Sequence, residues 1–405
     1  MADGALLDPT GLQALIDALR ERGFRVLGPT VRDSAIVTAP ITGIADLPRG
    51  IGDVQAPGHY RITSPDTGRG GAGSTGVDTR AEAFFGFAAT TQAAKPVLFP
   101  ADRLLWRGTR SGADFTVEAP DDSDGGPVAL LGIRACDLAA VAIHDQVLLA
   151  RASTDVHYAT QRRRTFLVAV TCGTPAGTCF CASMGTGPRP GEGADLTLTE
   201  LADPHRFLVE VGTTAGRDVL DSLPSTPATD EDLAAVEAVV AGAVASMGRH
   251  LRTDDLHDLL YTSAESPHWA DVGARCLACT NCTLVCPTCF CTCIEDVSDL
   301  SGDLDERHRV WDSCFSMEYS RLHGGAVRTS TSARYRQWLT HKLAAWIDQF
   351  GTSGCVGCGR CITWCPAGID LTAEVVALRA EAAHRPLATS TPGAATASTA
   401  AGPEH

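Results

Sequence analysis

The residues in this chain best suited to chemistry are cysteines in a repeated pattern. Cys276, Cys279, Cys282 and Cys286 precede Pro287, and the same spacing returns as Cys355, Cys358, Cys361 and Cys365 before Pro366. In C-x2-C-x2-C-x3-C-P, three closely stepped thiolates wrap one [4Fe–4S] cubane, and the fourth, ahead of a proline that turns the chain away, reaches the neighbouring cubane. The spacing therefore assigns one cluster to Cys276, Cys279, Cys282 and Cys365, and a second to Cys355, Cys358, Cys361 and Cys286. Zinc ribbons also use paired cysteines, but they need C-x2-C pairs with a longer gap between them, and two evenly stepped triplets fit that badly. The chemistry these residues imply is one-electron transfer.

Eight further cysteines lie outside this count, out of 16 in the chain. Cys136 follows a predicted strand at 128–133 and Cys172 follows another at 166–171, which puts both at the carboxyl edge of a parallel sheet, where α/β folds build their sites. Cys179 and Cys181 follow on a loop containing Pro and Gly that can fold back over that edge. These four are enough to hold a third iron–sulfur cluster, although C-x-C spacing is unusual for a cubane. The other reading is that they are buried small apolar residues. Thr178-Cys-Phe-Cys181 reappears as Thr288-Cys-Phe-Cys291, which suggests two cysteine-bearing loops near each other. Cys289, Cys291, Cys293 and Cys314 receive no ligand role.

The elements that must position these residues divide the chain into an α/β region at 1–250, an α-helical dicluster [4Fe–4S] ferredoxin-type region at 251–384, and a low-complexity, disordered tail at 385–405. In the first region Leu12, Leu15, Ile16 and Leu19 fall at helical spacing, and Gly23 stops that helix. Apolar runs at 25–27, 35–37, 128–133, 166–171 and 207–211 read as strands, and the unbroken runs at 128–133 and 166–171 suit strands buried on both faces. A packing helix over 137–150 between them makes a β-α-β unit. A second amphipathic helix spans 230–248, capped at Thr229 or Asp230, with Leu233, Val236, Val240 and Val244 on one face. Gly68-Arg-Gly70-Gly-Ala-Gly73 matches the dinucleotide fingerprint in letters only. Ser64-Pro65-Asp66-Thr67 precedes it where a strand should end, so it reads as an exposed loop.

At 405 residues the chain is long enough for two domains, and its net charge of −15 argues against nucleic acid or an anionic membrane as the main partner. No apolar run is long enough to span a bilayer, and the N-terminus carries no secretory pattern. Cysteines in these numbers without such a signal point to metal ligation in a reducing cytoplasm rather than to disulfides.

Between Cys286 and Cys355 lie 68 residues, far more than separate the motifs of a small dicluster ferredoxin. Tyr335, Trp338, Leu339, Leu343, Trp346, Ile347 and Phe350 share one helical face, so the insert ends in an amphipathic helix whose stripe reads as a packing face. Arg360, inside the second motif, and Asp370, just after it, are charges able to tune a cluster potential.

Gly132-Ile-Arg-Ala-Cys136-Asp-Leu, Thr178-Cys-Phe-Cys-Ala-Ser-Met184-Gly, Cys286-Pro-Thr-Cys-Phe-Cys291, Trp311-Asp-Ser-Cys-Phe315 and Gly354-Cys-Val-Gly-Cys-Gly-Arg-Cys361 together resemble the iron–sulfur beta subunit of soluble NiFe hydrogenases (sulfhydrogenases), a family similar to the iron–sulfur subunit of anaerobic sulfite reductase. The resemblance runs to about residue 380. It implies an electron-transfer subunit beside a flavin-containing, NAD(P)-binding subunit, passing electrons to or from a NiFe or a sirohaem centre in another subunit. Cys293 and the tail match nothing in it.

Three readings follow. The chain is the electron-transfer subunit of a cytoplasmic NAD(P)-linked NiFe hydrogenase, or the equivalent subunit of an anaerobic sulfite reductase, or a self-contained oxidoreductase with a flavin or substrate at the Cys136/Cys172 edge. Because Cys293 lies outside every ligand set, Cys293→Ser is expected to leave iron content and cluster spectra unchanged. Loss of a cluster in that variant refutes the ligand assignment.

Overall fold

A computed structural model describes residues 4–64, 79–92, 94–120, 125–150 and 153–384. The Gly68–Gly73 loop and the 385–405 tail lie outside the described residues. The strands in chain order are β1 (Ala5–Leu7), β2 (Arg25–Arg32), β3 (Ala35–Pro40), β4 (Gly52–Ala56), β5 (His59–Thr63), β6 (Asp102–Ser111), β7 (Asp114–Glu118), β8 (Val128–Arg134), β9 (Thr165–Val170), β10 (Leu196–Leu201), β11 (Arg206–Val211), β12 (Thr226–Pro227), β13 (Thr292–Ser298), β14 (Leu304–Trp311), β15 (Arg321–Leu322) and β16 (Gly325–Ala326).

Eight of these form one mixed sheet in the order β12-β1-β11-β10-β9-β8-β2-β3. Its centre is parallel, with β2 beside β8, β8 beside β9 and β9 beside β10, and its flanks are antiparallel. Every residue of β8 and β9 is buried, as their unbroken apolar runs require. The helix Pro9–Glu21 covers one face with Leu12, Leu15, Ile16 and Leu19, and Asp8 caps it by accepting from the Gly11 amide at 2.7 Å. Leu138, Val141 and Tyr158, from the helices Ala135–Leu148 and Val156–Arg163, pack on the other face.

The helix Asp230–Ser246 begins at Thr229 in a capping box with Asp232. Its buried side is Asp232, Val236 and Ala243, while Val244 is 46% exposed, so the apolar face lies one position away from the one the sequence suggests. Weak amphipathicity is the reason: valines and alanines surround this helix almost evenly, and contact with β10 and β11 selects the side.

Two helical stretches, Leu256–Thr262 and His268–Arg275, lead to the first cysteine motif. The insert begins differently from the helical expectation. It opens with the hairpin β13–β14, which joins β6 and β7 in a four-stranded sheet ordered β13-β14-β6-β7. Sequence reading misses these strands because β13 and β14 are charged along much of their length, with Glu295, Asp296, Asp305, Glu306, Arg307 and Arg309, so no apolar alternation marks them. The insert closes as expected in a helical segment over 331–350. Tyr335, Trp338, Leu339, Leu343 and Trp346 are buried, so the stripe is a packing face, and Ile347 at 39% exposure lies at its border.

The two halves meet at a close backbone contact. Phe180 N–H donates to Gly357 O at 2.8 Å, and Thr186 Oγ1 donates to Val356 O at 2.7 Å. Gly357 and Gly359 have φ of 63° and 76°. A Cβ on Gly357 would lie 2.7 Å from the Cys181 backbone, and one on Gly359 would lie 2.6 Å from Thr178 O. The first motif has the same left-handed geometry at Ala278 (φ 50°) and Thr280 (φ 66°), where side chains are tolerated. Glycine in the second motif therefore reflects the approach of the other domain more than the turn itself.

Gly359→Ala is expected to destabilise the chain by about 1–3 kcal/mol for the strained backbone, with a steric term added. Gly351→Ala, also at positive φ (71°) but with nothing within 4 Å, should show the backbone term alone. Urea unfolding midpoints of the two variants test this, and equal costs would remove the docking argument.

Candidate iron–sulfur centres

The first set of thiols shares one apolar cavity. Cys276, Cys279, Cys282 and Cys365 line it with Leu277, Phe315, Tyr335, Trp338, Ile369 and Leu371. Backbone amides already point at two of the sulfurs: Ala278 N–H donates to Cys276 Sγ and Ile369 N–H to Cys365 Sγ, both at 3.4 Å. The left-handed turn at Ala278 aims the first of these amides. This set reaches the surface, because Cys279 is exposed and Leu277 is 67% exposed.

The second set gathers deeper. Cys286 and Cys355 are buried, and Gly357 N–H donates to Cys355 Sγ at 3.4 Å, as Ala278 N–H does in the first motif. Burial pushes the Cys355 thiol up to about 12, and Cys286 and Cys358 are near enough to act on it electrostatically. Cys361 is likewise raised by burial and by Cys355, Cys358 and Cys286. Cys286 behaves in the opposite way. It receives a hydrogen bond from the Cys289 thiol and, against the effect of burial, the attraction of the Lys342 ammonium, so it is held well below the usual thiol range.

The third set also converges. Cys136, Cys172, Cys179 and Cys181, all buried, line one apolar pocket with Ala88, Ala135, Pro175 and Pro188. The carboxyl ends of β8 and β9 deliver Cys136 and Cys172, and the loop after β9 delivers Cys179 and Cys181. Ala176 N–H donates to Cys179 Sγ at 3.4 Å. Burial pushes the Cys181 thiol up to about 12 and raises the other three. Raised thiols need a cation to become thiolates, so metal loading here would release protons and stabilise the fold together.

Each set adjoins the next. Cys361 of the second set also lines the cavity of the first, and Cys358 of the second also lines the pocket of the third. Four thiols around an apolar space with N–H donors aimed at sulfur, as in the first and third sets, form a donor set that fits a [4Fe–4S] cluster, and the second set offers four thiols close enough to act on one another.

Buried charge is paired around these sets. Arg360 is 2% exposed and forms a two-pronged salt bridge to Asp137, the residue after Cys136, at 2.6 and 3.1 Å. Its Nε donates to Thr90 O at 2.8 Å. Arg134 donates to the carbonyls of Phe85, Phe87 and Ala88, which clamps the 84–90 segment over the sheet edge. Asp370 is paired with Arg249 at 2.7 Å. Arg360 and Asp370, read from sequence as potential-tuning charges, are thus each neutralised by a partner.

The remaining thiols lie close to these sets. Besides the Cys289 bond to Cys286, Cys291 Sγ lies 3.9 Å from the Tyr319 hydroxyl, and the buried Cys314 is close enough to raise Cys282. Cys293 sits on β13, with its Sγ 3.9 Å from Glu295. Phe290 packs in the same cluster as Cys136 and Cys181, so the two Thr-Cys-Phe-Cys loops are neighbours. Sequence reading overlooked Lys342, although its signal was available: a lysine four residues after Trp338 and four before Trp346, in the apolar stripe itself.

Among the described residues no helix is long and apolar enough to cross a membrane. The 4Fe-4S dicluster domain family matches residues 275–369. Sulfhydrogenase 2 subunit beta of Pyrococcus furiosus is 33% identical to the chain over 259 residues, which cover 62% of this chain and 73% of that protein. No solved structure matches. With its cysteine motifs inside a 4Fe-4S dicluster domain and this likeness over most of the relative's length, the chain belongs to the iron–sulfur beta subunits of the sulfhydrogenase family.

Proposed function

We propose that the chain is the electron-transfer subunit of a cytoplasmic, NAD(P)-linked NiFe hydrogenase complex, carrying electrons between the hydrogenase subunits and a flavin-containing partner. Three [4Fe–4S] clusters are assigned to it: one on Cys276, Cys279, Cys282 and Cys365, one on Cys286, Cys355, Cys358 and Cys361, and one on Cys136, Cys172, Cys179 and Cys181. Each cluster, when bound, supplies a site that accepts and gives one electron. The observation that carries the reading is the adjacency of the three thiol sets, with Cys361 and Cys358 each bordering a neighbouring set's cavity.

The protein's own residues supply the surroundings. Phe315, Tyr335 and Trp338 keep water from the first set, and the amides of Ala278, Gly357, Ile369 and Ala176 place partial positive charge on sulfur, which favours the reduced form. Leu277 and Cys279 at the surface give a redox partner its closest approach, and the burial of the third set confines exchange there to routes through protein. Membership of the sulfhydrogenase family supports a multi-subunit setting.

Purification of the intact complex tests the partner, with a NiFe large subunit expected to co-purify. A sirohaem subunit instead would transfer the same relay to a sulfite reductase, and tightly bound flavin on the isolated chain would overturn the pure relay. Iron analysis should give about twelve Fe per chain, against about eight if the third set is empty. Cys279→Ala, Cys358→Ala and Cys181→Ala should each lose about four Fe. The first two should stop electron flow to NAD(P), and survival of that flow in both variants refutes the relay role.

A further inference from the structure

The Cys286 sulfur has a neighbour that its counterpart Cys365 lacks in kind. Lys342, 6% exposed, places Nζ 3.2 Å from Cys286 Sγ, 3.0 Å from Thr288 Oγ1 and 3.0 Å from Gly354 O. Cys365, the corresponding fourth ligand of the first set, receives the neutral amide of Ile369. The position of Lys342 depends on an uncommon backbone feature. The helix over 331–350 changes to a π-helical turn at His341–Ala345, and Lys342 lies in that turn. Such turns are rare and are often found at functional positions.

The charge is held there against desolvation. Nζ faces three acceptors, the Cys286 sulfur, the Thr288 hydroxyl and the Gly354 carbonyl, one for each N–H of an ammonium. Among the described residues no carboxylate pairs with it in the way that Asp137 pairs with Arg360; its contacts are sulfur, a hydroxyl and a carbonyl. A second buried lysine, Lys95, reinforces the field from further out, donating to Cys286 O at 3.4 Å and lying 3.7 Å over the Trp311 ring. His144, nearby and buried, adds no charge, since burial and Lys95 lower it to about 4.

We propose that Lys342 sets the reduction potential of the cluster on Cys286, Cys355, Cys358 and Cys361, raising it above that of the cluster on the Cys276 set and making the middle of the path the electron well. Lys342 is a positioning residue: it holds a fixed positive charge against a ligand sulfur. Reduction adds one electron to the cluster, no bond breaks, and the lysine proton stays on nitrogen. The inference rests on the reading of Cys286 as a ligand.

An EPR-monitored redox titration of the iron-loaded full chain at one fixed pH tests it, with the middle signal identified through Cys355→Ser. In Lys342→Met, the reduced-to-oxidised ratio of that signal at the wild-type midpoint should fall at least about tenfold, equivalent to about 59 mV for one electron. Lys342→Arg, which keeps the charge, should stay within about threefold, and the Cys276 signal should not move in either variant. An unmoved middle signal in a Lys342→Met protein with full iron overturns the proposal, as does an equal shift in every signal. If Lys342→Met loses iron, Lys342→Gln, with its N–H donors and no charge, decides by the same ratio, and loss of iron there too makes Lys342 a folding residue and ends the proposal. Failure of the ligand reading would look different: Cys286→Ser would leave every signal in place.

Discussion

The contact on which the rest of this structure depends is the approach of the Thr178–Cys181 backbone to Gly357 and Gly359. It is closer than van der Waals contact to where a side chain would stand, and it joins the loop that carries half of the third thiol set to the motif that carries most of the second. Fixing Cys181 against Cys358 in this way sets the separation of two thiol groups without any cofactor bond. The parallel sheet contributes from the other side, because β8 and β9 end where Cys136 and Cys172 must begin. A rigid sheet edge and a glycine-lined motif together pre-form the place where the second and third thiol sets meet.

That meeting point is dense in buried charge, and each charge is satisfied differently. Arg134 donates to backbone carbonyls and lies over the Phe87 ring, and so fastens the 84–90 segment. Arg360 meets Asp137 as well as Thr90 O, which ties the second motif to the helix bearing Cys136. Burying such a pair adds little net stability, but breaking it strands a charge in a dry interior at a cost of about 3–5 kcal/mol. These two arginines therefore act as registration pins. Lys342 differs because it faces sulfur, so its field falls on the Cys286 thiol and not on a carboxylate.

Legibility in the sequence followed the strength of the local pattern. The two cysteine motifs, the β-α-β unit around Cys136 and the aromatic stripe over 335–346 were readable because each relies on fixed spacing or an unbroken apolar run. The hairpin β13–β14 was not, since its strands are held by pairing to β6 across the chain and carry charged side chains on the outside. The helix Asp230–Ser246 was located but rotated, because an evenly apolar helix leaves its orientation to its neighbours. Lys342 escaped for a related reason: a single charge in an apolar stripe looks like noise until the fold places it in a π-helical turn beside Cys286. The reason for Gly357 and Gly359 was equally hidden, since Ala278 and Thr280 adopt the same backbone and only the docked loop distinguishes the copies.

The length of the insert then has a physical explanation. A dicluster unit needs little chain between its motifs to bind two clusters, and the 68 residues here do two other things. The hairpin pairs with β6, stitching the second half onto the first by a route independent of the glycine contact. The closing helix brings Lys342 to Cys286, the sulfur that belongs to the first motif in sequence and gathers with the second set in space. Trp338 and Tyr335, one and two turns earlier on that helix, wall the first set's cavity, so a single element shields one site and charges the next. The two otherwise matched motifs are made unequal by what packs on them: one is open at Cys279 with a cavity lined by neutral groups, the other enclosed and with a lysine ammonium on its Cys286 sulfur. That inequality distinguishes the two motifs in a way that their identical spacing cannot.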